Sequence, residues 1–151
     1  MTTQIIKGSC LCNTIKYTVT GPPILNVLCY CRNCQKSTGS LGVANSLYKQ
    51  ENLSITEGQD SLRTYKDSNT HDGSVVDRSF CQNCGSNIVF SNKAKSEDVV
   101  IVTSGTMDLE DGQAWAPMVE FYCQDKKAWL DLGVETKTFE KVPLRFDRVL
   151  G

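Results

Sequence analysis

Hydrophobic and polar residues alternate along much of the chain with a period near two. Residues 14–20, Thr-Ile-Lys-Tyr-Thr-Val-Thr, alternate over seven positions and stop at Gly21-Pro22-Pro23. A period of two sends successive side chains to opposite faces, so this stretch predicts a half-buried strand closed by a turn. Residues 24–30 form an apolar run leading into a cysteine cluster. Residues 42–48, 53–57 and 62–66 predict three short strands separated by turn residues. Residues 75–80 and 87–90 flank a second cysteine pair like the arms of a hairpin, and 99–103 and 118–123 predict two buried strands. Helical periodicity is weak: one turn over 32–37 and another over 125–130. The pattern predicts a mainly β, mostly antiparallel fold.

Length and charge narrow the picture. A chain of 151 residues fits a single domain, 1–151, large enough for a real core. Residues 134–151 are charged, lack long apolar runs, and read as an edge strand or an appendage. With 16 Lys and Arg against 17 Asp and Glu, the net charge of −1 speaks against sequence-independent nucleic-acid binding, which needs clustered positive charge. The longest aliphatic run is Val99-Val100-Ile101-Val102, far too short to span a bilayer. Met1-Thr2-Thr3-Gln4 opens no secretory signal. The expectation is a cytoplasmic protein, the nucleus being possible, with no membrane or nucleic-acid partner.

The chemistry lies in the cysteines. Seven of the eight fall in three clusters, at Cys10 and Cys12, at Cys29, Cys31 and Cys34, and at Cys81 and Cys84; Cys123 stands apart. Disulfides stabilise most when they close long loops, so disulfide frameworks scatter their cysteines. Metal sites need several thiolates from one short segment, and in a reducing compartment zinc outweighs disulfides or redox dithiols. Cys81-Gln82-Asn83-Cys84-Gly85 is a zinc knuckle, with Gly85 free to take positive φ behind the second sulfur. It supplies two ligands. Cys10 and Cys12 are the natural partners, since residues two apart on a regular strand share a face. The expected first site is therefore Cys10, Cys12, Cys81 and Cys84, a closed structural zinc.

Cys29, Cys31 and Cys34 remain. Three protein ligands with an open fourth position mark a catalytic zinc. Closure by Cys123 or His71, or a cluster without metal, are the alternatives. Cys123 lies in an apolar strand-like run and His71 in a polar loop, Ser68-Asn69-Thr70-His71-Asp72-Gly73. Two zinc ions and seven thiolates would change the charge from −1 to −4, since +4 and −7 sum to −3. Arg32 and Lys36 are the nearby cations that would offset the three-thiolate site. Ser37-Thr38-Gly39-Ser40 offers hydroxyl and backbone donors, or is simply a polar loop.

The ordered motifs Gly8-Ser9-Cys10-Leu11-Cys12, Cys29-Tyr30-Cys31-Arg32-Asn33-Cys34-Gln35-Lys36-Ser37-Thr38-Gly39-Ser40 and Phe80-Cys81-Gln82-Asn83-Cys84-Gly85-Ser86 resemble the glutathione-dependent formaldehyde-activating enzyme family, which also includes centromere protein V. Gly105-Thr106-Met107-Asp108 and Lys127-Ala128-Trp129-Leu130 are similar to its later landmarks. The resemblance covers a core of about 4–132, leaving 133–151 as a C-terminal appendage. It implies a β-tent fold of small antiparallel sheets, with a structural four-cysteine zinc and a catalytic zinc at Cys29, Cys31 and Cys34. The family commonly has histidine where this chain has Tyr30, and often where it has Glu120 after Pro117; neither change removes a thiolate. The form of the motifs is similar to short fungal members.

The resemblance implies a zinc-dependent carbon–sulfur lyase acting on a thiol–carbonyl adduct, with glutathione and formaldehyde, or a related thiol and aldehyde, as substrates. Arg32 or Lys36 would suit a glutathione carboxylate. Glu120 and Asp108 are candidate general bases if they lie beside the second zinc. Trp115, Trp129, Tyr48 and Tyr65 are candidate pocket aromatics, though such residues are more often core. The alternative is a non-catalytic, zinc-stabilised module that binds a protein partner, for which an open coordination position would serve no purpose.

Overall fold

A computed structural model describes residues 2–143 and Val149. In chain order the strands are β1 (Ile5–Ser9), β2 (Lys16–Thr20) and β3 (Leu25–Cys29), followed by helix α1 (Arg32–Thr38). Next come β4 (Val43–Lys49), β5 (Leu53–Glu57), β6 (Leu62–Asp67), β7 (Val76–Cys81), β8 (Asn87–Ser91) and β9 (Val99–Thr103). The last three are β10 (Met107–Asp108), β11 (Val119–Phe121) and β12 (Lys137–Thr138). The fold is mainly β, as the alternation predicts. Two predicted spans, 53–57 and 99–103, match their strands end to end.

One sheet has the order β10-β1-β2-β5 and the other β12-β11-β3-β4-β9-β8-β7-β6. Most pairings are antiparallel. β11 departs from that expectation and runs parallel to both β3 and β12. A parallel partner requires a crossover, and here it comprises everything between β3 and β11. β12 places part of the C-terminal segment at the sheet edge. Residues 144–148, 150 and 151 of that segment lie outside the described residues.

Alternation along the larger sheet separates two environments. Tyr48, Val100, Val102 and Ile88 point to one face and pack with Ile15, Tyr17 and Val19 of the N-terminal segment. Leu47, Val27, Phe121 and Val119 point to the other. Close packing at the first face demands Gly8, where a Cβ would sit 2.0 Å from Tyr17 Cζ.

The predicted turn over 32–37 is α1. The one over 125–130 is not helical: a 3-10 turn occupies Cys123–Asp125 and ends at Lys126, whose ψ of 137° is extended. Tyr48 is core and Trp115 packs against it, but Trp129 and Tyr65 are 72% and 63% exposed and serve neither core nor pocket.

Candidate metal centres and the adjoining cavity

The four-cysteine group forms where two tight turns meet. Cys81 ends β7; Gly85 turns the knuckle with φ 75°, its N–H donating to Cys81 O at 2.8 Å. The other pair is not on a strand, contrary to the face-sharing expectation. β1 ends at Ser9, and Cys10 and Cys12 lie in a turn closed by Asn13 N–H on Cys10 O, with Asn13 at φ 62°. A hydrogen bond ties the two loops together: Leu11 N–H donates to Ser86 Oγ at 3.0 Å. Ile15 N–H donates to Cys10 Sγ at 3.3 Å, the kind of bond that steadies a thiolate. The Sγ atoms of Cys10, Cys12, Cys81 and Cys84 all lie within 4.8 Å of one another. Cys10–Cys12 and Cys12–Cys81 separations are 3.6 and 3.8 Å. A tetrahedron of sulfurs about 2.3 Å from zinc has edges of about 3.8 Å. These separations fit a tetrahedral thiolate site and are far too long for disulfides.

Cys29, Cys31 and Cys34 form a second group within the same 4.8 Å limit. Cys29 ends β3, Cys31 caps α1, and Cys34 lies in its first turn. Cys31 Sγ accepts the Cys34 N–H at 3.3 Å, so one sulfur serves both as helix cap and as member of the trio. Hydrogen bonds from Cys29 and Cys34 and that backbone N–H pull the Cys31 thiol down to about 3. Against the hydrogen bond with Cys29, that with Cys31 and then burial push Cys34 up to about 12.

Among the described residues no histidine, carboxylate or fourth cysteine joins this trio. Cys123 donates instead to Glu120 O at 3.6 Å. His71 packs edge-on to Tyr122, with ring centroids 5.9 Å apart. Both clusters can hold a metal ion, and their all-sulfur donor sets are compatible with zinc.

The trio lines a cavity of about 460 Å³. Its floor is the second face of the large sheet, where register places Val27 beside Asn45, Leu47 beside Ile101, and Ile101 beside Phe90. Arg78 crosses the wall. Its Nε donates to Asp67 at 2.9 Å, its Nη1 approaches Cys34 Sγ at 3.9 Å, and its guanidinium lies 4.9 Å from the Phe90 ring centre. Burial opposes the charge on Asp67, but bonds from Asn33 and Arg78 outweigh it and hold the carboxyl below its usual range. Tyr122 also lines the cavity, in the left-handed conformation at φ 57° that a bulky side chain seldom adopts. Burial and the nearby sulfurs push its phenol up to about 12, so it stays protonated.

The family's motif model of the glutathione-dependent formaldehyde-activating enzyme matches residues 5–125. The chain belongs to this family. No curated protein matches it significantly. Among solved structures, a crystal structure of a Rhodobacter sphaeroides protein matches with a TM-score of 0.52 at 15% identity, covering 70% of this chain and 91% of that one. That likeness concerns the fold.

Within the family frame, the two departures from its usual histidines meet each other. Tyr30 Oη donates to Glu120 Oε1 at 2.6 Å. Lys126 Nζ lies 2.7 Å from the same oxygen, and Thr136 Oγ1 donates to Oε2. Burial opposes ionisation of Glu120, but these bonds outweigh it and its pKa is lowered. Glu120 follows Val119 on the opposite side of β11, Tyr30 lies just past the end of β3, and neither lines the cavity. Glu120 is thus a paired buried carboxylate, not a base facing the trio. Asp108 is also displaced from that role: it pairs with β1 in the smaller sheet and accepts from Ser9 Oγ at 2.6 Å. Of the two expected cations, Arg32 lines the cavity with Nη1 on Gln35 Oε1, and Lys36 does not.

Sequence reasoning missed Arg78, Asp67, Tyr122 and Asn45. Arg78 lies in Asp77-Arg78-Ser79, which reads as polar surface. Its only signal is phase: it shares a side of β7 with Val76.

Proposed function

We propose that the chain is a zinc-dependent carbon–sulfur lyase that makes and breaks thiol–carbonyl adducts. Glutathione with formaldehyde or a related aldehyde gives the S-hydroxymethylglutathione type of product. The observation that carries the reading is the asymmetry between the clusters. Four sulfurs form a complete ligand set at the meeting of two turns, whereas three sulfurs, without a fourth protein ligand among the described residues, open onto a cavity. Cys10, Cys12, Cys81 and Cys84 would hold a structural zinc, and Cys29, Cys31 and Cys34 a catalytic one. A zinc held by the trio would supply a Lewis-acid position that lowers the pKa of a bound thiol.

In the forward reaction the thiol sulfur bonds to the carbonyl carbon. The C=O π pair moves onto oxygen, which ends as a hydroxyl carrying the proton the thiol gave up. The reverse cleaves the S–C bond. Arg78 keeps a positive charge beside the sulfurs, fixed by Asp67 so that no reorganisation is needed as charge shifts. Tyr122 presents a protonated phenol to the same cavity and suits the role of relay, giving its proton to the oxygen and taking up the one the thiol releases. Arg32, at the cavity wall, is placed to meet a carboxylate of the thiol substrate.

The test compares the wild type with Cys31→Ser. Serine is a good helix cap, so the substitution removes a thiolate and keeps α1 capped. Exchange of ¹³C-formaldehyde into its glutathione adduct is followed by NMR. Acceleration by the wild type and its loss in Cys31→Ser, with the fold retained, is the expected outcome. Equal acceleration by both proteins would refute the assignment.

A further inference from the structure

The chain runs on past the family's matched core, and the continuation returns to the cavity. The match ends at residue 125. Beyond it, β12 joins the large sheet at the edge of β11, with Lys137 beside Val119 and Thr138 beside Glu120. Backbone bonds fix its course: Lys137 N–H donates to Met118 O at 3.1 Å, Phe139 N–H to Glu120 O at 2.9 Å, and Cys123 N–H to Phe139 O at 3.0 Å. The side chain of Glu120 adds a further tie by accepting from Thr136 Oγ1. Phe139, half-buried between exposed Thr138 and Glu140, meets the Phe121 ring edge-on with centroids 5.7 Å apart. Three residues further on, Val142 lines the cavity.

Polar and charged side chains make up the larger part of the lining, among them Arg32 and Asn33 of α1 and Asp72 and Lys95 of the loops. Val142 belongs with a different part. It packs against the cluster that holds Val27, Leu47, Phe121 and Tyr122, and Cys29 and Cys31 pack against the same cluster. Val142 and the sulfurs thus share neighbours. A thiol substrate such as glutathione brings carboxylates and an ammonium, which cost least where polar partners stand. The substituent contributed by the carbonyl partner is then the part of the adduct left to meet the cluster and Val142.

We propose that the C-terminal segment is a wall of the substrate site, and that Val142 sets how large a carbonyl substituent the site accepts. The proposal rests on the adduct chemistry assigned above and adds to it the element that selects the aldehyde. The covalent step is unchanged, sulfur adding to the carbonyl carbon and the thiol proton ending on its oxygen. Val142 takes no part in that step; it is a specificity residue, supplied by a stretch of chain outside the family's matched core.

The probes are S-methyl-, S-butyl- and S-hexylglutathione, stable thioethers that mimic adducts of growing size and bind without turnover. Affinity for the zinc-loaded protein is read by calorimetry. Val142→Trp should weaken S-hexylglutathione about tenfold relative to S-methylglutathione, the worth of about two buried methylenes, with S-butylglutathione between them. Val134→Trp, in the same segment but 55% exposed and outside the cavity lining, should leave the ratio unchanged. If Val142→Trp does not fold, Val142→Ala decides by the opposite shift, toward the longer chain. A ratio unmoved by substitution at Val142, or moved as far by Val134→Trp, would overturn the proposal. So would a wild type that binds none of the three probes. Exchange of aldehydes into their glutathione adducts is measured on the same samples. Exchange by the wild type with an unmoved ratio sinks this proposal and spares the lyase reading. A shifted ratio with no exchange from any aldehyde sinks the lyase reading and leaves the wall standing.

Discussion

Replacing Arg78 by methionine tests how the protein carries three sulfurs in a buried wall. Methionine has similar length and no charge, so packing on Phe90 is largely kept. The guanidinium lies 3.9 Å from Cys34 Sγ, and at an effective dielectric constant of about 20 a unit charge pair at that distance is worth about 4 kcal/mol. Asp67 sits 2.9 Å from the same guanidinium, and its opposite charge cancels much of that gain. The net loss to a metal–thiolate centre should be about 1–2 kcal/mol, or roughly tenfold in zinc affinity. Stability should also fall, by about 3 kcal/mol, because a buried carboxylate loses its ion partner while Asn33 still bonds both its oxygens. The assay is competition for zinc against a chromophoric chelator. The four-cysteine site acts as internal reference, since Arg78 contacts only the trio. Arg78→Met should release one zinc about tenfold more readily and the other unchanged. Adding Asp67→Asn should restore part of the loss. Unaltered release of both ions would refute the claim that Arg78 balances the sulfur charge.

The other predictions concern the body of the fold. Tyr30→Phe should cost about 2 kcal/mol by removing a bond to an ionised carboxylate, yet leave zinc content and adduct exchange intact, since Tyr30 does not line the cavity. Glu120→Gln should narrow the stability gap to wild type on acidification. The folded pKa of Glu120 lies below the ordinary 4.5, so its contribution is full above that value and fades as pH falls through the lowered one; urea midpoints against pH would show it. A gap that widens in acid would contradict the ionised network. Gly8→Ala should lower stability by roughly 3 kcal/mol, because the new methyl meets a buried tyrosine ring at 2.0 Å; thermal melts should record it.

Much of this was legible in the sequence for a physical reason. A half-buried strand announces itself by a period of two, as at 53–57, and a buried one by a short unbroken apolar run, as at 99–103. The cysteine groupings were readable because chelation by a short segment leaves a mark in spacing. The sequence was silent where tertiary contact overrides local pattern. Cys10 and Cys12 meet through a left-handed turn at Asn13, not through the face of a strand. Arg78 and Asp67 look like surface residues until β7 and β6 turn them inward to pair. Glu120 reads as a possible base because nothing local shows that Tyr30, Lys126 and Thr136 converge on it. The parallel course of β11 depends on a long crossover that periodicity does not encode.

The central claim is one closed and one open thiolate site in a single chain. Zinc counted per chain, with X-ray absorption at the zinc edge for the sulfur count, tests it most directly in the wild type, Cys31→Ser and Cys84→Ser. The wild type should hold two zinc ions with a mean of about 3.5 sulfurs each, the average of a four- and a three-sulfur site. Cys31→Ser should fold and keep its four-sulfur zinc, whereas Cys84→Ser should lose the fold. Four sulfurs around every zinc in the wild type, or equal collapse of both variants, would contradict the account.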